Sequence, residues 1–161
     1  FLTDTLLQNH SLEEVESILA HELGHYRLGH VPLLIFVQSA LAFLSFGLLN
    51  LFLDFAVERF GLSGLADVAG LPFLFLAGAG LGLGLAPFIL ALSRWLETRA
   101  DAFSIQLTAN PEAFIQAMTK LHRQNLAEER PSRWVEILFY DHPPLYRRLA
   151  LAQRCQAQRP G

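Results

Sequence analysis

Two histidines and a glutamate near the start of the chain have types and spacing suited to metal chemistry. They lie in the string His21-Glu22-Leu23-Gly24-His25. Residues four apart share one face of a helix, so His21 and His25 can both bind a single zinc ion. Glu22 lies one position further round the helix, where it can reach a water molecule on that metal. We therefore interpret Glu22 as the general base of a hydrolytic reaction.

The surrounding residues predict the helix that this spacing requires. Ser11 and Glu14 have the spacing of a capping box, which marks the first turn of a helix. Apolar residues then recur at helical spacing, at Leu12, Val15, Ile18, Leu19 and Leu23. The string HELGH therefore falls in the middle of a helix and has the HExxH form typical of zinc metallopeptidases. The alternative is a chance match or a pair of surface histidines.

The composition indicates a membrane protein. The chain has 161 residues, of which 52% are hydrophobic and only 17% are charged, which is apolar for one domain of this size. Two uncharged stretches, residues 31–53 and 68–93, account for this. Each exceeds the roughly 20 residues that cross a hydrocarbon core. So short a chain could hardly cover two such helices on all sides, so we predict a transmembrane hairpin rather than two buried core helices.

The arginines around the hairpin predict its orientation. Arg27 precedes the first stretch, and Arg94 and Arg99 follow the second, whereas the link between the stretches carries only Arg59. The positive-inside rule then places the outer ends of the hairpin in the cytoplasm. Because two spans return the chain to the side it left, later residues can meet the histidine helix. We expect an integral membrane protein with its metal site on the cytoplasmic side, in the inner membrane if the source is bacterial.

Charge and cysteine content exclude other classes. The formal net charge is −3 and no basic run alternates with aromatic residues, so we expect no nucleic-acid partner. Cys155 is the only cysteine, which excludes an internal disulfide. The chain begins at Phe1 without a methionine, from which we expect a fragment or a processed chain.

The rest of the chain is polar and predicts an all-α fold. Helices are predicted over residues 93–108, from an N-cap at Asn110 to about residue 127, and from residue 143 or 144 to about residue 156. Only the segment FLTDTLL at residues 1–7 hints at a strand. We predict one metallopeptidase domain over residues 1–161, in which the histidine helix (1–30), the hairpin and a helical region (94–161) follow one another.

A third ligand must come from elsewhere, because two histidines leave a zinc ion incomplete. The metzincin pattern needs glycine at position 28 and histidine at position 31, where the chain has Leu28 and Val31. Glu97 is the first carboxylate after the hairpin, and Asp101 follows one turn later on the same face. We expect Glu97 to bind zinc while Asp101 accepts an N–H from a ligand histidine. Alternatively, Glu97 is a solvated residue at the membrane boundary and Asp101 its neighbour on the helix.

The ordered set of motifs resembles one family. The string HELGHYRLGH, a transmembrane hairpin, SRWLETRADAFS and DHPPLYRRLA together resemble the type 1 CAAX prenyl endopeptidases, which are integral-membrane zinc metallopeptidases. The resemblance runs from FLTDTLL to about Leu151. Related heat-shock membrane proteases share HExxH, the hairpin and the Glu-xxx-Asp helix. Members of the family carry further transmembrane helices before this region, so we expect that the chain lacks those upstream helices.

The resemblance implies roles for individual residues. It implies that His21, His25 and Glu97 bind one zinc ion per chain and that Glu22 is the general base. Asp101 matches a family position that is described either as supporting a ligand or as donating a proton.

Two residues near the end of the chain also match family positions close to the active site. The resemblance implies that His142 hydrogen-bonds the oxyanion and that Arg148 orients Asp101 or the substrate. From the sequence alone, His142 is a turn residue and Arg148 is a solvated arginine. His30 matches the family string as well, with a functional role and a helix-end position equally open.

These features predict a membrane-embedded zinc endopeptidase. Its partners would be the lipid bilayer and a peptide or protein substrate, either a prenylated CAAX-type C-terminus or a membrane protein in quality control. One alternative is a non-catalytic membrane scaffold or partner subunit with a structural zinc ion, against which the intact Glu22 argues. Another is a soluble zinc-binding helical domain.

Overall fold

The computed structural model describes residues 8–64, 67–124 and 128–157. The helices in these ranges are α1 (Leu12–Arg27), α2 (His30–Phe60), α3 (Leu71–Thr108), α4 (Pro111–Gln124), α5 (Arg133–Phe139) and α6 (Leu145–Ala157), with a short 3₁₀ turn at Val68–Gly70. The described residues contain no strand, which agrees with the predicted all-α class. The segment FLTDTLL and the predicted helix end near residue 127 lie outside the described residues.

The chain divides into two compact units, of which one comprises residues 31–88. Most of α2 and the first half of α3 form this unit, and both helices are long and apolar enough to cross a membrane. Helix α2 continues to Phe60, several residues past the predicted span and into the predicted link. Large apolar side chains face outward, with Phe43 85% and Phe75 71% exposed. Such a surface suits lipid rather than water, as the predicted hairpin requires.

The other unit, residues 1–30 and 89–161, has a hydrophobic core around α4. Helix α4 is amphipathic and packs against α1 and α6. Phe114 in its first turn is completely buried, together with Ile105 of α3. The amide of Ala113 donates to Asn110 Oδ1 at 3.1 Å, which confirms the predicted N-cap.

Helix α1 begins with the predicted capping box. The Glu14 amide donates to Ser11 Oγ at 3.3 Å, and the Ser11 amide donates to Glu14 Oε2 at 3.0 Å. Lys120 Nζ of α4 donates to the same carboxylate oxygen at 2.7 Å, so Glu14 also ties α1 to α4. Burial alone would raise the pKa of Glu14, but the hydrogen bonds from Lys120 and Ser11 outweigh it and hold this pKa below its ordinary value.

Gly24 determines how closely α1 approaches α3. A Cβ atom at Gly24 would lie 3.1 Å from a ring carbon of Phe103 and 3.3 Å from the Cα atom of Ala100, so the absence of a side chain permits this contact. A buried hydrogen bond lies at the same interface, where Ser104 Oγ donates to the Ser17 carbonyl at 2.7 Å. The HELGH face of α1 is therefore held directly against α3.

Replacing Gly24 with alanine should destabilise this contact. The added methyl group meets the backbone of Ala100, which cannot yield as a flexible side chain can. We expect Gly24→Ala to cost about 1–3 kcal/mol through overpacking, measured as a lower melting temperature in detergent by circular dichroism.

The matched control is Gly47→Ala in α2, where a Cβ atom meets no described atom within 4 Å. Alanine favours a helix over glycine, so this variant should be neutral or stabilising. Equal melting temperatures for the two variants would contradict the close approach at Gly24.

Candidate metal centre

The structure brings together the three residues predicted to bind a metal. His21 and His25 lie one turn apart on α1, and their Nε2 atoms are 3.1 Å apart. Glu97 of α3 faces both rings: its Oε2 lies 3.3 Å from His21 Nε2, and its Oε1 lies 3.2 Å from His25 Nε2. Two helices that are distant in sequence therefore direct two nitrogens and a carboxylate at one point.

The spacing of these atoms fits a tetrahedral metal ion. Ligands bound at 2.0–2.1 Å to such an ion lie roughly 3.3 Å from one another, which matches the separations in this site. Glu97 Oε2 is buried and, although it lies near two imidazoles, makes no well-aligned hydrogen bond to the described residues. A buried carboxylate oxygen without a hydrogen bond is well suited to bind a metal ion. Three protein ligands leave one position of a tetrahedral ion open.

Asp101 lies on the far side of the His21 ring. Its Oδ1 atom is 2.9 Å from His21 Nδ1, and the residue is fully buried. This contact favours a proton on Nδ1 and leaves Nε2 free to bind a metal. Burial disfavours the charged imidazolium of His21, but the carboxylates of Asp101 and Glu97 outweigh it and raise the pKa of His21 to about 9. The two carboxylates thus make the site attractive to a cation.

Arg148 of α6 holds Asp101 in place. Its Nε donates to Asp101 Oδ2 at 2.8 Å and its Nη2 donates to Oδ1 at 2.5 Å, which is a bidentate pair. Of the two roles expected for Arg148, orientation of Asp101 or of the substrate, the geometry favours the first.

His142 also reaches the centre, from the loop between α5 and α6. Its Nε2 lies 3.4 Å from Glu97 Oε2, and its Nδ1 lies 2.9 Å from Asp141 Oδ1. The side chain is half exposed, so it can meet a substrate as well as Glu97. Asp141, which immediately precedes His142, was not among the predicted site residues.

Glu22 lines a cleft next to these residues. A cleft of about 370 Å³ is lined by Glu22, two of the three candidate ligands (His21 and Glu97), His142 and Arg148. Glu22 is exposed, in contrast to the buried Glu97, so water can reach its carboxylate. The cleft therefore brings together a candidate base, the metal-binding atoms and a histidine from a third part of the chain.

His30 has a position that the sequence left undecided. The residue is 1% exposed, and its Nδ1 lies 3.1 Å from Nδ1 of His25. If His25 binds a metal through Nε2, its Nδ1 carries the proton and donates to His30. Gly29 makes this contact possible, because its φ of +69° ends α1 and allows α2 to begin at His30. The pair Gly29-His30, which follows HELGH after three intervening residues, was the available sequence signal.

Removing the His30 side chain should weaken metal binding. Loss of a group that orients a ligand typically costs about 10–100-fold in metal affinity, so we expect that loss in His30→Ala. His30→Asn retains an acceptor near the position of Nδ1 and should keep most of the metal affinity of the unmodified chain. Affinity is measured by competition with a zinc chelator. His122→Gln, at another histidine lining the cleft, is the control; equal affinities for all variants would rule out a positioning role for His30.

Comparisons with known proteins identify the family of this chain. The sequence model of Peptidase family M48 matches residues 1–156. A protein of Oryza sativa subsp. japonica named "CAAX prenyl protease 1 homolog" is 34% identical over 162 residues, covering 98% of this chain and 38% of the relative. The "Uncharacterized metalloprotease YhfN" of Bacillus subtilis (strain 168) is 31% identical over 157 residues, covering 95% of this chain and 37% of the relative.

The fold is shared with a solved structure. The crystal structure of S. mikatae Ste24p superposes with a TM-score of 0.76 at 23% identity, covering 94% of this chain and 38% of that one. The chain thus spans less than two-fifths of the length of these curated relatives. Since the family match extends over nearly the whole sequence, the chain belongs to peptidase family M48.

Proposed function

We propose that this chain forms the catalytic part of a membrane zinc endopeptidase. Membership of the family implies a bound metal. The observation that carries the proposal is the convergence of ligand atoms from His21, His25 and Glu97 within 4.8 Å of one another. Two histidines and one glutamate are a donor set typical of catalytic zinc sites. When bound, zinc would lower the pKa of water to about 7 and polarise the scissile carbonyl group.

Glu22 would transfer the proton during hydrolysis. Its carboxylate lies in the cleft, where it can accept a proton from the water that attacks the carbonyl carbon of the substrate. The same carboxyl group can then deliver that proton to the leaving amine as the C–N bond breaks. One glutamate thus serves as base and then as acid, and it returns to its starting state.

His142 would stabilise the oxyanion that forms on the attacked carbonyl. Nδ1 of the ring can donate to Asp141 while Nε2 faces the ligand Glu97, so Nε2 is the atom available to the substrate. A proton on Nε2 would let this atom donate to the oxyanion, while Asp141 holds the ring from its Nδ1 side. Asp101 and Arg148 would act through His21, as positioning residues.

The proposed substrate is a peptide or protein segment at a membrane. The rice relative is named a CAAX prenyl protease homologue, and the HELGHYRLGH and HPPLYRR strings support the same class, so prenylated C-termini are the first candidates. Membrane proteins in quality control are the second substrate class to test. Arg27, Arg94 and Arg99 flank the apolar stretches and support a site on the cytoplasmic side.

Glu22→Gln should abolish cleavage while zinc remains bound. The amide cannot accept the proton of the attacking water, but it leaves the ligand atoms unchanged. Cleavage of a prenylated peptide and its unmodified form is read by mass spectrometry with the detergent-purified chain, and zinc content by elemental analysis. Turnover by Glu22→Gln would eliminate Glu22 as the base.

The comparison variant is Glu97→Ala, which should lose both zinc and activity because it removes a ligand. Zinc content equal to that of the unmodified chain would remove Glu97 from the ligand set. The peptide that the unmodified chain cleaves faster identifies its substrate class.

His142→Ala should lower kcat and spare the metal. Removing one donor to an oxyanion typically costs roughly 100- to 1,000-fold in kcat, and we expect that loss with little change in KM. Zinc content should equal that of the unmodified chain. Zinc lost in proportion to activity would show that His142 is a ligand instead, which its 3.4 Å distance to Glu97 Oε2 makes a necessary check.

A further inference from the structure

Helix α5 carries an apolar face that the described residues leave largely exposed. Trp134 and Phe139 are each 74% exposed, and Leu138 between them is 44% exposed. Val135, at 37%, completes the group. Residues three and four apart lie on one helix face, so these four side chains form one patch. Single exposed apolar residues are ordinary, but four on a helix of seven residues indicate an apolar partner.

The opposite face of α5 is fixed to the rest of its unit. Glu136 is 4% exposed, and its Oε1 pairs with Arg147 Nη1 of α6 at 3.0 Å. Ser132 caps the start of the helix by accepting the Val135 amide. The rotation of α5 about its axis is therefore set by contacts on one side, and the apolar patch on the other side follows from them.

Arg94 ties α5 to the point where α3 leaves its apolar stretch. Its Nη1 donates to the carbonyl oxygens of Glu136 at 3.0 Å and Tyr140 at 2.6 Å. Arg94 directly follows residues 68–93, the second predicted span. The C-terminal end of α5 is therefore bonded to the residue that directly follows that stretch.

A second tryptophan, Trp95, directly follows Arg94. Trp95 is 50% exposed, and the guanidinium carbon of Arg99 lies 4.9 Å from the centre of its ring. Tryptophan is enriched at the boundary between hydrocarbon and water, where its ring is partly apolar and its N–H finds polar groups. Trp95 and Trp134, the two tryptophans of the chain, thus lie on the two elements that Arg94 joins.

We propose that α5 docks on the phospholipid bilayer, with Trp134, Leu138 and Phe139 at the boundary between headgroups and acyl chains. The partner is the lipid surface itself, because α5 is bonded to Arg94, the residue that follows the second apolar stretch, and its patch is rich in aromatic side chains. The inference rests on membrane insertion of α2 and α3 and does not depend on peptidase activity.

Docking of α5 would also fix the loop between α5 and α6, which carries His142. Phe139 ends the helix, and Tyr140, Asp141 and His142 follow directly. Because Arg94 holds the carbonyl of Tyr140, the chain has little freedom between the lipid-facing helix and the histidine at the metal centre.

Two single-tryptophan variants test the proposal. Trp95→Phe leaves Trp134 as the only tryptophan, and Trp134→Phe leaves Trp95 as the internal standard for the end of the span. Each is reconstituted in phosphatidylcholine vesicles with and without lipids brominated on the upper acyl chain, and emission is also titrated with acrylamide. Helical content by circular dichroism confirms folding.

We expect brominated lipid to quench Trp134 to an extent comparable to Trp95, with acrylamide quenching well below that of N-acetyl-tryptophanamide in the same suspension. Strong acrylamide quenching without bromolipid quenching would show that α5 faces water and would overturn the proposal. Protection of Trp134 from both quenchers would also overturn it, because a second copy or another protein segment would then cover the patch. A Trp95 that brominated lipid does not quench would overturn both α5 docking and insertion of the span, while leaving the metal centre untouched.

Discussion

The close contact between α1 and α3 is the constraint on which the metal centre depends. The two histidines of HELGH are on one helix and Glu97 is on the other, so the helices must approach closely for short side chains to meet. Gly24 lies between the two histidines and provides that approach, with its Cα next to the backbone of Ala100. The glycine of the motif is thus a packing residue between the two histidines that are predicted to bind the metal. A methyl group there would widen the gap that Glu97 has to bridge.

Around this contact, each histidine of the centre has one ring nitrogen directed inward and the other held by a partner. His21, His25 and His142 all present Nε2 toward Glu97. The groups next to their Nδ1 atoms are Asp101, His30 and Asp141, respectively. Fixing one nitrogen determines the tautomer and the ring orientation at the other, which would prepare His21 and His25 to bind a metal. Arg148 in turn holds Asp101 through two hydrogen bonds to its carboxylate.

Local signals explain what the sequence could predict. The capping box at Ser11 and the N-cap at Asn110 depend on neighbours within three residues, and both were predicted correctly. Glu97 could be predicted as the third ligand for two reasons. A hairpin returns the chain to the side that it left, and Glu97 is the first carboxylate after the hairpin. The contact of His30 with His25 could not be predicted, because it depends on how the chain turns at Gly29. The hydrogen bonds from Arg94 to carbonyl oxygens could not be predicted either, because every residue has a backbone carbonyl and the sequence does not show which one is bonded.

The position of Glu97 on α3 fixes the distance between the candidate metal centre and the end of the apolar stretch. Glu97 follows Ser93, the last residue of the apolar stretch, by four residues, which is about 6 Å along a helix axis at 1.5 Å per residue. An extended chain covers about 7 Å in two residues. Under the proposed function, a membrane-bound substrate would therefore present to this centre only the first few bonds beyond the hydrocarbon. Depth in the membrane, in addition to the side chains around the bond, would decide which bond is accessible.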